Sequence, residues 1–146
     1  MDCCPRNGPE WLSYVDHTAD DGIAVTGPRL TDVFERAAIG MFSILCELAD
    51  VTPTETERVT IEATDREELL VRWLSELNVR HQLAHVLYSE FNVDELTETQ
   101  LAATVGGEEI DPDRHDIRAE IKAVTYCDLE LARTADGWRA QVIFDM

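Results

Sequence analysis

"LTDVFERAAIGMFSILCELAD", residues 30–50, decides how this chain folds. Leu30, Val33, Phe34, Ala37, Met41, Ile44, Leu45 and Leu48 recur at spacings of three and four, the period of one helix face. Thr31 and Asp32 suit a helix N-terminus. A second helical run follows at residues 65–91, "DREELLVRWLSELNVRHQLAHVLYSEF", with Leu70, Trp73, Leu74 and Leu77 along its apolar face. Asp65 and Glu68 there have the spacing of a capping box. Strand-like segments surround both helices: "WLSYVD" and "GIAVTG" before the first, "RVTIEAT" between them, and "FNVDEL", "QLAATVGGE", "IRAEIKAVTY", "DLELART" and "WRAQVIFDM" after the second. This order predicts an α+β fold, a two-layer sandwich of two helices packed on a largely antiparallel mixed sheet. Residues 1–10 read as a loose tail and 11–146 as a single domain.

The final two strands read as a hairpin turning at Asp136-Gly137. That register sets Leu131 against Val142, Leu129 against Phe144 and Asp128 against Asp145. Like charges directly opposite on a strand pair repel, so Asp145 stands out as a carboxylate that needs neutralising.

Composition narrows the function. With 30 acidic against 12 basic residues the net charge is −18, which opposes autonomous nucleic-acid binding. Such acidity suits docking on a basic protein surface, and equally a high-salt cytoplasm. No run approaches the roughly 18 apolar residues of a membrane span. The opening "MDCCPRNGPE" lacks the apolar core of a signal peptide, so the expectation is a cytoplasmic protein. Cys3, Cys4, Cys46 and Cys127 form no CxxC pair, and reduced thiols are expected.

Three groups invite a chemical reading. "YVDHTADDGIAV" (14–25) crowds Asp16, His17, Asp20 and Asp21 into one turn. With Asp145 and the terminal carboxylate of Met146, these oxygens suit a hard cation such as Mg²⁺, Mn²⁺ or Ca²⁺, although acids also cover the rest of the surface. His81 and His85, four apart on a helix, have zinc-pair spacing, but Gln82 stands where that motif needs its base. Cys127 lies beside Asp128, whose charge disfavours a thiolate. Among the basic residues, eleven are arginine and one is lysine, Lys122. A compact ammonium and a planar guanidinium are not interchangeable, which singles Lys122 out.

Three separated strings, "YVDHTADDGI" (14–23), "IKAVTY" (121–126) and the terminal "VIFDM" (142–146), resemble the signature segments of the archease family. "LTDVFERAAIGMF" and "LLVRWLSEL" resemble its two helices, so the likeness covers nearly the whole chain after the tail. The resemblance implies a non-enzymatic activator of an RtcB-type RNA ligase, which uses GTP and Mn²⁺ and guanylylates its own histidine. It further implies a divalent-metal site at Asp20 and Asp145, with Met146 contributing its carboxylate and Asp16 as an adjacent candidate, and a functional lysine at Lys122. Asp21, Cys127 and the polar "NVRHQ" (78–82) depart from the family pattern. Two rivals use the same residues: a stand-alone metal-dependent phosphohydrolase, and a plain acidic interaction module.

Overall fold

The two helices expected from residue spacing lie against two antiparallel sheets in the computed structural model, which describes residues 9–17 and 20–146. The expected tail therefore lies almost wholly outside the described residues. Strands β1 (Leu12–His17) and β2 (Asp20–Gly27) form a hairpin and lead into helix α1 (Leu30–Leu45). A 3-10 turn (Leu48–Asp50) and strand β3 (Glu55–Glu62) precede helix α2 (Arg66–Ala84). Strands β4 (Val86–Leu96), β5 (Gln100–Glu109), β6 (Ala123–Thr134) and β7 (Gly137–Asp145) complete the chain. The α+β class holds, but the strands divide into two sheets, ordered β1-β2-β7-β6 and β3-β5-β4, and every pairing among the described residues is antiparallel.

Helix α1 is the centre of the core. Val33, Phe34, Ala37, Ala38, Met41 and Phe42 are fully buried, and the helix touches β2 and β7 of one sheet and β4 of the other. Helix α2 packs beside it on β6 and the smaller sheet, and the Trp73 indole N–H donates to the Phe34 carbonyl at 2.9 Å. Phe42, Tyr88 and Phe91 stack edge-on or tilted around the junction.

The boundaries depart from expectation where non-local contacts intervene. Helix α1 stops at Leu45, because Cys46 turns extended, and Leu48 reaches the core from the separate 3-10 turn instead. Its cap position is Arg29, whose backbone amide and guanidinium both donate to the Asp32 carboxylate, and Thr31 lies inside the first turn. Helix α2 stops at Ala84, with His85 in the left-handed region (φ 57°). The apolar run beyond it, Val86–Phe91, pairs with β5 and buries Leu87, Tyr88 and Phe91. Periodicity alone did not separate these residues from the helix, since the decisive partner lies some twenty residues away.

The terminal hairpin also differs. Thr134 pairs with Gly137, so the turn residues are Ala135 and Asp136, and Leu131 faces Ala140. Gly137 is needed for another reason. Its φ is +152°, and a side chain there would run into the Gly27 carbonyl and Pro28 of the adjoining strand. Farther along, five steps on β6 (Thr125 to Glu130) span only two on β7 (Ile143 to Gln141), so three residues bulge out. Asp128 sits in that bulge at φ 50°. It does not oppose Asp145; Ala123 does.

Candidate functional site

Strand β7 lies between β2 and β6, and this placement assembles the site. Asp20, the first residue of β2, is directly opposite Asp145, the last of β7. On the other flank of β7, Ala123 opposes Asp145, and the Lys122 backbone N–H donates to the Asp145 carbonyl at 2.7 Å. Three residues from distant parts of the chain thus meet at one end of one sheet. Two carboxylates directly opposite one another repel, so a positive charge is favoured beside them. Lys122 brings a positively charged residue next to Asp145 through that backbone bond.

Glycine permits the close pairing here. A Cβ at Gly22 would stand 2.6 Å from Ile143 Cδ1 and 2.8 Å from the Val142 carbonyl oxygen. No other residue fits without separating β2 from β7 two positions from Asp20. Side chains alternate along strands, so Asp20 and Asp145 share one face, whereas Asp16 and Asp21 oppose each other on the face of Tyr14 and Ile23. That second face is the one turned to α1: Ile23 is fully buried, and the Tyr14 hydroxyl bonds Ser43 Oγ at 2.8 Å. Met146 packs its side chain on the core, fixing the end of the chain next to Asp145.

Lys122 is itself held from the opposite side. Ile121 is fully buried, and its carbonyl accepts from Asn78 Nδ2 at 2.8 Å and from Gln82 Nε2 at 2.7 Å, both on α2. The sequence signal for this contact was the polar run "NVRHQ", in which Asn78 and Gln82, four apart, share one helix face; the role was hidden because the partner lies about forty residues ahead.

The remaining sequence candidates take structural places. His81 is buried, its Nδ1–H donates to the Val86 carbonyl at 2.9 Å, and its ring meets Phe42 edge-on. His85 is exposed at the cap of the helix, so the two imidazoles do not form a pair. Cys127 is exposed in the β6 bulge, where its amide donates to Thr125 Oγ1. Burial pushes the Cys46 thiol up to about 11. Among the described residues, no three His, Cys, Asp or Glu side chains converge as a metal cage. The oxygens of Asp20 and Asp145 do match the donor chemistry of a hard cation that keeps several waters, and do not match a closed zinc site.

A second polar cluster, away from this site, pins the loop before β6. The Asp111 amide donates to His115 Nδ1 at 2.8 Å, so the ring proton sits on Nε2, which faces the Glu108 carboxylate at 3.0 Å and the Asp50 carbonyl at 3.1 Å. The Thr52 amide first, then Arg114 and His115, hold the Glu108 carboxyl down at about 2.

Residues 12–146 match the model of the Archease protein family (MTH1598/TM1083). A protein archease from Methanosarcina acetivorans is 38% identical over 146 residues, covering 97% of this chain and 99% of that protein. One from Pyrococcus abyssi is 37% identical over 140 residues, covering 93% and 98%. The solution structure of Methanobacterium thermoautotrophicum protein 1598 superposes with a TM-score of 0.77 at 34% identity, covering 93% of this chain and 99% of that one. A Thermotoga maritima archease, described as a possible chaperone, shares the fold at 19% identity and a TM-score of 0.59, covering 90% and 94%. On the family match and these relatives, the chain belongs to the archease family.

Proposed function

We propose that this protein activates an RtcB-type RNA ligase by promoting guanylylation of the ligase histidine and multiple turnover. The observation that carries the reading is the convergence of Asp20, Asp145 and Lys122 at one sheet end, from three separate stretches of the chain. The archease described as a possible chaperone is consistent with an accessory protein that acts through a partner.

Asp20 and Asp145 would hold a divalent cation, Mg²⁺, Mn²⁺ or Ca²⁺, with the Met146 carboxylate as a further candidate ligand. Asp16, which the sequence offered as an adjacent candidate, lies on the opposite face of the sheet and is not assigned to the ion. When bound, such an ion supplies positive charge against phosphate oxygens during phosphoryl transfer. Lys122 stands beside the pair as a point charge able to donate to a phosphate oxygen or to an acidic group of the ligase. The net charge of −18 steers the protein to the basic, RNA-binding mouth of its partner.

Single-turnover guanylylation of a cognate ligase with GTP and Mn²⁺ tests the assignment. Asp20→Ala, Asp145→Ala and Lys122→Ala are each expected to slow the activated step about tenfold or more. Lys122→Arg keeps the charge but changes its shape, and is expected to restore only part of the rate. Folded alanine variants that all activate like the parent would overturn the reading. Phosphoester turnover by the isolated protein would favour a hydrolase in its place.

A further inference from the structure

We propose that Asn78 and Gln82 are positioning residues: from helix α2 they clamp the Ile121–Lys122 peptide group and so set where Lys122 stands relative to Asp145. The proposal rests on the functional reading of Lys122 and Asp145 given above.

That single peptide group carries three hydrogen bonds. Its carbonyl accepts from Asn78 Nδ2 at 2.8 Å and Gln82 Nε2 at 2.7 Å, and its N–H donates to the Asp145 carbonyl at 2.7 Å. Both lone pairs of the carbonyl oxygen are used. The peptide plane is thereby fixed between α2 on one side and the end of β7 on the other. A carbonyl polarised by two donors also makes its own N–H a stronger donor, so the α2 amides reinforce the bond to Asp145.

The clamp lies on a stretch without regular pairing, where the preceding backbone anchor is the Arg118 amide, which donates to the Leu45 carbonyl at 2.8 Å. Residues 117–122 belong to no helix or strand, and β6 pairing begins only at Ala123. Without the clamp, Lys122 would occupy the end of a loop anchored next to it by the buried Ile121 side chain.

Asn78 is also an expensive choice for packing. The residue is 3% exposed, and its Oδ1 is buried without a partner. A buried acceptor left unmatched costs stability. Leucine at that position would remove the unmatched atom and extend the apolar face of Leu70, Trp73, Leu74 and Leu77, all buried. What leucine cannot supply is the N–H that reaches Ile121. The polar side chain is therefore explained by the bond it donates, and that bond ends on the peptide that carries Lys122.

Amide hydrogen exchange on the free protein tests the clamp without any ligase. In Asn78→Leu/Gln82→Ala the Lys122 amide is expected to exchange about tenfold faster or more, with the Ala103 amide in β5 unchanged. A purely structural role would accelerate both together. Gln82→Glu, at an exposed position, keeps the shape and removes the donor; it gives the same comparison if the double variant does not fold. Guanylylation assays then link the clamp to the site: the double variant is expected to lose about fivefold or more of the activation, with each single variant in between. An unchanged Lys122 amide overturns the proposal, as does a loosened amide with undiminished activation. If Lys122→Ala also activates normally, it is the functional reading that fails, and the exchange data alone then judge the clamp.

Discussion

Gly22 stands where a side chain on β2 would collide with β7, and its role is steric. Gly22→Ala would press a methyl into Ile143 and the Val142 carbonyl, and is expected to destabilise the fold by about 1–3 kcal/mol in urea unfolding. Glu108 is the residue to examine for pH dependence. Its carboxyl is held down at about 2 in the folded chain, against an ordinary value of 4.5. The stability it contributes is complete above pH 4.5 and is lost as pH falls through the folded value. Thermal scans should therefore show a decline between pH 4.5 and 2 that is shallower in Glu108→Gln. At this scale Asp20, Lys122 and Asp145 were singled out from the short strings that carry the resemblance and, for Lys122, from its being the one lysine of the chain. Gly22, Asn78 and Gln82 were not legible. Each acts on a neighbour supplied by another part of the chain.

Local chemistry reads well at the level of single elements. Asp65 accepts from the Glu68 amide at 2.8 Å, as the capping-box spacing predicts, while Glu68 returns to the Thr64 amide at 2.7 Å, one residue earlier than the ideal box. Asp65→Ala is expected to cost about 1 kcal/mol, seen as a fall in Tm of about 3 °C. The other end of α2 was misplaced because the helical period runs on into Val86–Phe91, and sheet pairing overrides it. The β6 bulge was similarly hidden. The turn at Ala135-Asp136 shifts the expected register by two positions, which already takes Asp128 off Asp145, and the three extra residues of the bulge shift it by three more and bring Ala123 there. A hairpin turn signal says nothing about a bulge seven or more residues away.

Taken as a whole, the molecule carries a net charge of −18 on 146 residues, and repulsion among the surplus carboxylates opposes the folded state. Exposed pairs such as Arg58–Asp94 and Arg72–Glu68 are weak and are themselves screened by salt. The long-range repulsion outweighs them, so Tm is expected to rise as KCl increases from about 0.01 M to 1 M, where the Debye length shortens from about 30 to 3 Å. A falling Tm would show that the ion pairs dominate. Among the described residues no helix is long and apolar enough to cross a membrane.

The sequence by itself determined the helix faces, the cap of α2 and the acidity, because each depends on residues near one another in the chain or on simple counts. The three residues offered as a site came from the resemblance that three short strings carry. Only the tertiary structure decided that β7 lies between β2 and β6. That one placement sets Asp20 against Asp145 and the Lys122 amide against the Asp145 carbonyl, across more than a hundred residues of chain in the first case. Non-local strand pairing is selected by the fit of whole faces, and no short stretch carries that information.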